Sequence, residues 1–273
     1  MRNFLQRAIT GLIYVLLIIV SLYTHEYVFA TVFAAILLVC LYELYRLVGF
    51  LNSVRPYTIA GLISAGILFV ISFLDAFGVF ILNLMPVFVF LFGALFLYEL
   101  FQKQHVTIHN IVYTLFGLVY VAVPFFMLPY IMTFRGASYE TSGSLIMMLF
   151  VFIWSHDTFS YVWGVTLGKH PLCPTISPKK SIEGFVGGAL STLGVAVLVA
   201  SLLPQYMSLL EWLGAAAVVV VFATVGDLVE SLIKRSVAVK DSGSVLPGHG
   251  GFLDRFDSVI FTIPAFFAYL YII

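Results

Sequence analysis

Charge is scarce in this chain. Asp, Glu, Lys and Arg make up 10% of the 273 residues, against roughly 25% in ordinary soluble domains. A water-soluble protein of this length must cover its surface with polar groups, and too few are present, so lipid must be part of the solvent. Cysteine is scarcer still. Cys40 lies in an apolar run and Cys173 in a polar loop, which excludes a disulfide framework and a thiolate metal site. No small-residue cleavage signal follows the apolar stretch after Arg7, so the N-terminal segment reads as a retained first span and not a signal peptide. Internal repeats and low-complexity tracts are absent too, and no Ser–His or Cys–His nucleophile arrangement stands out. The thirteen basic and thirteen acidic residues cancel, so bulk charge points to no partner, nucleic acid included.

What the chain has in abundance is apolar sequence, 62% of its residues. A spanning helix needs about 20 mostly apolar residues. That rule predicts an all-α, polytopic membrane protein with about nine spans, at roughly 8–24, 27–47, 57–77, 79–101, 111–134, 143–164, 184–203, 208–232 and 256–273. Glu43, Arg46 and Glu99, at the ends of the second and fourth, are expected near the interface. Pro86, Pro124 and Pro129 are tolerable within spans where neighbouring helices satisfy the freed carbonyls.

With nine spans, alternate loops face the same side. Arg2, Arg7 and the loops after the even-numbered spans (Arg46, Arg55, Lys103, Lys169, Lys179, Lys180, Lys234, Arg235, Lys240 and Arg255) all fall on one side, and only Arg135 on the other. Basic residues favour the cytoplasmic side, so the N-terminus and the two long polar loops, about 165–183 and 233–255, are expected there, in the cell (inner) membrane. Of the 26 charged residues, 15 lie between Asp157 and Asp257. The expected division is therefore a scaffold over 1–110, with about four spans, and a working region over 111–273, with about five.

Three constellations carry chemistry. Ser155-His156-Asp157-Thr158 ends the sixth span, and a carboxylate at membrane depth costs about 2.5–3.5 kcal/mol on insertion scales, so Asp157 needs a function, a partner or an interfacial position. Next, Gly164, Gly168-Lys169-His170 and Ile176-Ser177-Pro178-Lys179-Lys180-Ser181-Ile182-Glu183-Gly184 follow. The glycine spacing is one residue short of a P-loop and lacks its hydroxyl. Ser177 suits a helix N-cap and Pro178 the first helical position, which would aim free N–H groups and two lysines at one spot suited to phosphate. A positive-inside anchor is the plainer alternative. The Gly184…Gly188 spacing favours close helix packing or a dimer contact.

The third constellation begins within the eighth span. Asp227, Glu230, Ser231 and Lys234 share one helix face. Two acids there require a cation, a partner or water, and a Glu230–Lys234 ion pair would satisfy one of them. Lys240-Asp241, Pro247-Gly248-His249-Gly250-Gly251 and Asp254-Arg255-Phe256-Asp257 follow. Asp254 and Asp257 share a face at a helix start, where one of them could serve as a cap. Carboxylates with few imidazoles and no thiolate partners favour Mg²⁺ over Zn²⁺. The interleaved bases suit a nucleoside triphosphate.

The run from Ser231 to Asp257 resembles the signature of the phosphatidate cytidylyltransferases (CDP-diacylglycerol synthases). Asp157-Thr158-Phe159-Ser160-Tyr161, Gly168-Lys169 and Ile176 to Gly184 are similar to that family's second block. Ser181-Ile182 stands where the family usually has Thr-Trp, and Ser160 where it usually has Ala, differences that bear on substrate preference. The resemblance implies transfer of a cytidylyl group from CTP to phosphatidate, with Mg²⁺ as cofactor, a second, monovalent cation as an open addition, membrane lipid around the site, and a plausible homodimer. It implies Asp227 and Asp254 as leading metal ligands with Asp257 and Asp241 beside them. Lys179, Lys180, Lys234, Arg235 and Arg255 would hold phosphates, His249 and its glycines would close over the nucleotide, Lys240 belongs to the catalytic set, and Asp157, Ser177 and Glu183 line the substrate site. A CTP-dependent isoprenoid-alcohol kinase is the enzymatic alternative. A CDP-alcohol phosphotransferase is excluded because no Asp here precedes Gly. A transporter would favour broken, repeated spans, which are not seen.

Overall fold

Apolar runs become helices here because a segment in lipid must satisfy its own backbone N–H and C=O groups. The computed structural model describes residues 2–51, 54–79, 84–101, 108–134, 139–239, 242–243 and 250–273, and the side chains within them from residue 10 onward except at 84–85 and 139–142. The elements are α1 (Arg2–Tyr23), α2 (Glu26–Val48), α3 (Thr58–Ala76), α4 (Leu84–Leu100), α5 (Ile108–Gly117), a π-helical turn (Leu118–Ala122), α6 (Val123–Met132), α7 (Tyr139–Leu167), β1 (Pro171–Cys173), β2 (Ser177–Ser181), α8 (Ile182–Leu202), α9 (Leu209–Ser236) and α10 (Leu253–Ile272).

Among the described residues, 7 helices are long and apolar enough to cross a membrane: α2, α3, the continuous Ile108–Met132 stretch, α7 from Gly143 on, α8, α9 and α10. The chain is thus a polytopic, helical membrane protein. The expected spans at about 8–24 and 79–101 correspond to the shorter apolar pieces Thr10–Tyr23 and Pro86–Leu100. The π-helical turn ends two residues before Pro124. Proline has no N–H to close the regular ladder, and the Val123 N–H reaches back five residues to the Leu118 carbonyl, the local adjustment that keeps the helix continuous.

The chain forms two compact units, Met1–Gly143 with Val237–Phe256, and Ser144–Ser236 with Asp257–Ile273. The first is organised on α2, where Phe29, Phe33, Leu37, Cys40, Leu41 and Leu44 are fully buried along one helical stripe. Tyr45 donates its hydroxyl to the Thr114 carbonyl at 2.7 Å. Its ring lies so close to Gly61 of α3 and Gly117 of α5 that a Cβ at either would collide with it. Phe125 packs against Phe33 and Phe256, with ring centroids 6.4 and 5.9 Å apart.

In the second unit α8 packs along α9. Gly184, Gly188, Thr192 and Ala196 recur every fourth residue and face inward. The Gly184…Gly188 spacing is used for packing within the chain: a Cβ on Gly184 would meet the Ser160 carbonyl oxygen at 2.7 Å, and one on Gly188 would collide with the Ser160 side chain. α9 buries Trp212, Ala215, Ala216, Val219, Val220 and Ala223. Its start is a reciprocal capping box, with Ser208 N–H donating to Glu211 Oε2 at 2.6 Å and Glu211 N–H to Ser208 Oγ at 3.4 Å.

One expectation fails here. Ser177 and Pro178 do not start a helix; they open β2, which pairs antiparallel with β1, Pro171 opposite Ser181 and Cys173 opposite Ser177. The helix begins four residues later. Ser181 is its cap, in extended backbone (φ −114, ψ 154), and its Oγ accepts the Gly184 N–H at 3.1 Å. The physical reason is Glu183, whose carboxylate accepts the N–H groups of Lys169 and His170 at 3.0 and 3.2 Å, while Ile182 N–H donates to the His170 carbonyl at 2.8 Å. These bonds fold the chain back on itself, so the residues between become a hairpin.

Candidate active site

Within the second unit a cavity of about 420 Å³ opens where three elements meet. From α7 come His156, Asp157 and Ser160; the hairpin brings Lys179, Lys180 and Ser181; α9 brings Thr224 and Asp227. Each is placed by a local cause. His156 and Ser160 are one helical turn apart on α7, Thr224 and Asp227 three residues apart on α9, so each pair shares a face. Lys179 and Lys180, adjacent on β2, both line the cavity. Glycines 164 and 184 and Phe185 complete the side toward α8.

Charge is arranged in opposition across this space. The Lys180 ammonium forms an ion pair with Asp227 Oδ2, both side chains 31% exposed. Asp227 Oδ1 accepts from Ser231 Oγ at 3.4 Å, the one-turn spacing legible in the sequence. Asp257 in the first turns of α10 interacts electrostatically with Asp227, Asp157 and Lys234. Deeper in, buried His156 contacts Thr224 Oγ1 through Nε2 at 2.9 Å and Ser160 Oγ through Nδ1 at 3.4 Å, with the Phe185 ring edge-on at 5.8 Å. These neutral polar groups give the cavity a hydrogen-bonding floor under a charged rim.

The expected residues divide into groups. Asp157, Lys179, Lys180 and Asp227 line the cavity, and Asp257 belongs to the same unit. Ser177 starts β2. Glu183 is turned to the hairpin, with His170 Nδ1 at 2.6 Å from its Oε1 in addition to the two backbone N–H groups. Lys234 pairs with Glu230 one turn before it on α9; Glu230 is 0% and Lys234 13% exposed. Arg235 is exposed at the end of α9. In the first unit, Asp254 accepts the Ser242 N–H at 3.1 Å and the Gly251 N–H at 2.9 Å on Oδ2, both donors lying ahead of α10, and Arg255 is exposed. Lys240, Asp241 and His249 lie outside the described residues. His156 was noted in the sequence without a role, and Ser160, Thr224 and Phe185 were missed as lining residues; the helical spacings to Ser160 and from Thr224 to Asp227 were the available signals.

A family model described as the cytidylyltransferase family matches residues 5–273. The chain belongs to the cytidylyltransferase family. Among its relatives, a phosphatidate cytidylyltransferase of Staphylococcus aureus (strain COL) is 36% identical over 236 residues, 85% of this chain and 86% of that one. One of Staphylococcus epidermidis (strain ATCC 35984) is 37% identical over 216 residues, 78% and 80% of the two chains. One of Staphylococcus saprophyticus (strain ATCC 15305) is 36% identical over 219 residues, again 78% and 80%.

For a cytidylyltransferase the donor chemistry around this cavity suits a hard divalent cation: carboxylates and hydroxyls, with no thiolate. Among the described residues no cluster of three or more acidic, His or Cys side chains closes into a ready-made cage. Mg²⁺ is commonly bound by one or two carboxylates plus substrate phosphates and water, so Asp227 with Asp257 or Asp157 fits it. At the hairpin one side chain, Glu183, gathers three contacts from Lys169 and His170. Glu183→Ala in this cytidylyltransferase is expected to lower kcat about tenfold through mispositioned lysines. It should also speed tryptic cleavage after Lys179 or Lys180 in detergent, and an unchanged cleavage rate would remove Glu183 from the hairpin's support.

Proposed function

We infer that the chain transfers the cytidylyl group of CTP to phosphatidate, giving CDP-diacylglycerol and pyrophosphate for phospholipid biosynthesis. The observation that carries this reading is the cavity in which Lys179 and Lys180 face Asp157 and Asp227, in a chain of the cytidylyltransferase family. A phosphate oxygen of phosphatidate attacks the α-phosphorus of CTP in line; the new P–O bond forms as the bond to pyrophosphate breaks. The nucleophile is already ionised at neutral pH, so no strong general base is needed. What the site must supply is position and charge.

Lys179 and Lys180 hold triphosphate oxygens as point charges, and the Ser181-capped start of α8 fixes where those lysines stand. Asp227 and Asp257, with Asp157, orient the cationic side of the site; Asp254 and Asp241 belong to the metal set on the strength of the Ser231–Asp257 run. Mg²⁺ bound there would neutralise charge on the triphosphate, and a monovalent cation is the candidate second ion. Lys240 and His249 join the catalytic set and Lys234, Arg235 and Arg255 the phosphate-binding set on the same ground. Ser177 and Glu183 act through the hairpin. The floor of His156, Ser160 and Thr224 offers donors and acceptors to a polar ligand.

The same reading assigns α1 and α4 as two further spans, making nine, with 1–110 as scaffold and 111–273 as the working region. It places the protein in the cell membrane with the N-terminus and the site loops on the cytoplasmic side, where CTP meets a lipid head group. A homodimer through α8 would use its outward side, Val186, Leu190 and Val197, since the glycine side packs inward.

One labelling experiment tests the reaction. Purified protein with phosphatidate, Mg²⁺ and CTP labelled at the α-phosphate is expected to move label into lipid. Label at the γ-phosphate should leave as pyrophosphate. In a parallel reaction with an isoprenoid alcohol in place of phosphatidate, lipid labelled only from the γ-phosphate would instead mark an alcohol kinase, which the relatives do not favour.

A further inference from the structure

Glu43 is an acid in the last turns of apolar α2, far from the charged half of the sequence and absent from the reaction described above. Its expected place was an interface; its place in the first unit is interior, with 2% of the residue exposed. Its Oε2 accepts the N–H of Leu253, the first residue of α10, at 2.8 Å across 210 positions of sequence. A carboxylate on a free N–H at a helix start is stabilised by the hydrogen bond and by the helix dipole. The surroundings are shaped to it. A Cβ on Gly243 would stand 2.5 Å from Glu43 Oε1, and one on Gly251 would collide with Glu43 Oε2 and with Ser242 Oγ.

Asp254 braces the same place from the other side. It accepts the N–H groups of Ser242 and Gly251, and Gly250 adopts φ +82 beside it, a conformation that L side chains rarely take. Two carboxylates, one from α2 and one from α10, therefore hold Ser242, Gly251 and Leu253, three residues of the Ser231–Asp257 run. Asp254 lies in the run and its family resemblance explains it. Glu43 lies outside every block that carries the resemblance.

We propose that Glu43 is a positioning residue for cytidylyl transfer: it docks the start of α10, and with it Asp254 and the Ser242–Gly251 ends, onto the scaffold helix α2. The proposal rests on the reading that this run works in the reaction. A carboxylate in an otherwise apolar span is costly, and helix capping alone is available from any serine or threonine next to Leu253; the long-range tie is what a buried glutamate adds.

The test compares E43A, E43Q and D254N in purified protein, assayed at saturating CTP, phosphatidate and Mg²⁺, with thermal midpoints in detergent. E43A is expected to lose about 100-fold in kcat, the scale of an ångström-sized displacement of catalytic groups. E43Q keeps the side chain's shape and an acceptor for Leu253 N–H, and is expected within about threefold of wild type. E43A/D254N should be no slower than D254N alone, because both act through one element. Should E43A not be recovered folded, G243A carries the test: its methyl group pushes on the Glu43 carboxylate without altering α2, and at least a tenfold loss of kcat is expected. Wild-type kcat in E43A, or in G243A where it must substitute, overturns the proposal, as does an E43A loss that multiplies fully with D254N. A D254N protein with wild-type activity would instead sink the reading of the run on which it rests.

Discussion

Asp227→Asn is expected to lower kcat about 10³-fold, roughly 4 kcal/mol of transition-state stabilisation, while leaving the protein folded. Asp227 is a cavity-lining carboxylate that contacts Lys180 and receives Ser231 Oγ at 3.4 Å. Two roles fit that geometry. In one, Asp227 binds the divalent cation that neutralises the triphosphate; in the other, it only anchors Lys180. Stability separates them poorly, since a part-exposed ion pair contributes little, about 0–1 kcal/mol. The double variant separates them well. If Asp227 only anchors Lys180, D227N/K180M is no slower than K180M alone, because both changes remove one contact. If Asp227 holds the cation, the double variant falls well below K180M. Full activity of D227N at saturating Mg²⁺ would remove Asp227 from the metal set. Chelating divalent cations should abolish turnover of the wild type in parallel, with recovery on adding Mg²⁺.

The legible part of this protein was whatever lipid dictates. Span positions follow from apolar length, so α2, α3, α8 and α9 fall within a few residues of their expected limits. The helical spacing of Asp227, Ser231 and Lys234 was readable for the same reason, and the Glu230–Lys234 pair formed as that spacing allows. The hairpin was not readable. Ser177-Pro178 is a good local helix start, but Ser181 four residues later is an equally good cap, and the choice is made by Glu183 reaching Lys169 and His170, 14 and 13 residues away in sequence. Tertiary contact overrode local propensity. Glu43 was missed differently. Its oddness, an acid in an apolar span, was visible; its partner lies 210 residues on, a distance over which a single sequence carries no pairing signal. The same limit hid the floor of the cavity, where Thr224 meets His156 from another helix.

Lys180→Met should reduce kcat/KM for CTP about 100-fold, from loss of a charged contact to phosphate in a part-buried site, and its effect on the cation should run the opposite way. Lys180 occupies Asp227 Oδ2, so a divalent ion held by Asp227 would compete with it. Removing the ammonium leaves Asp227 a stronger anion, so Mn²⁺ binding to nucleotide-free protein, read by electron paramagnetic resonance, should be as tight as in the wild type or tighter. Lys180→Arg keeps the charge but replaces a compact ammonium with a planar fork, and should recover CTP affinity more fully than kcat. A structural role for Lys180 makes different demands: loss of its pair would weaken cation and nucleotide binding together and lower the thermal midpoint. Opposite signs for the two ligands therefore identify Lys180 as the group that passes from protein carboxylate to nucleotide phosphate when substrate arrives, and parallel losses would return it to the hairpin's architecture.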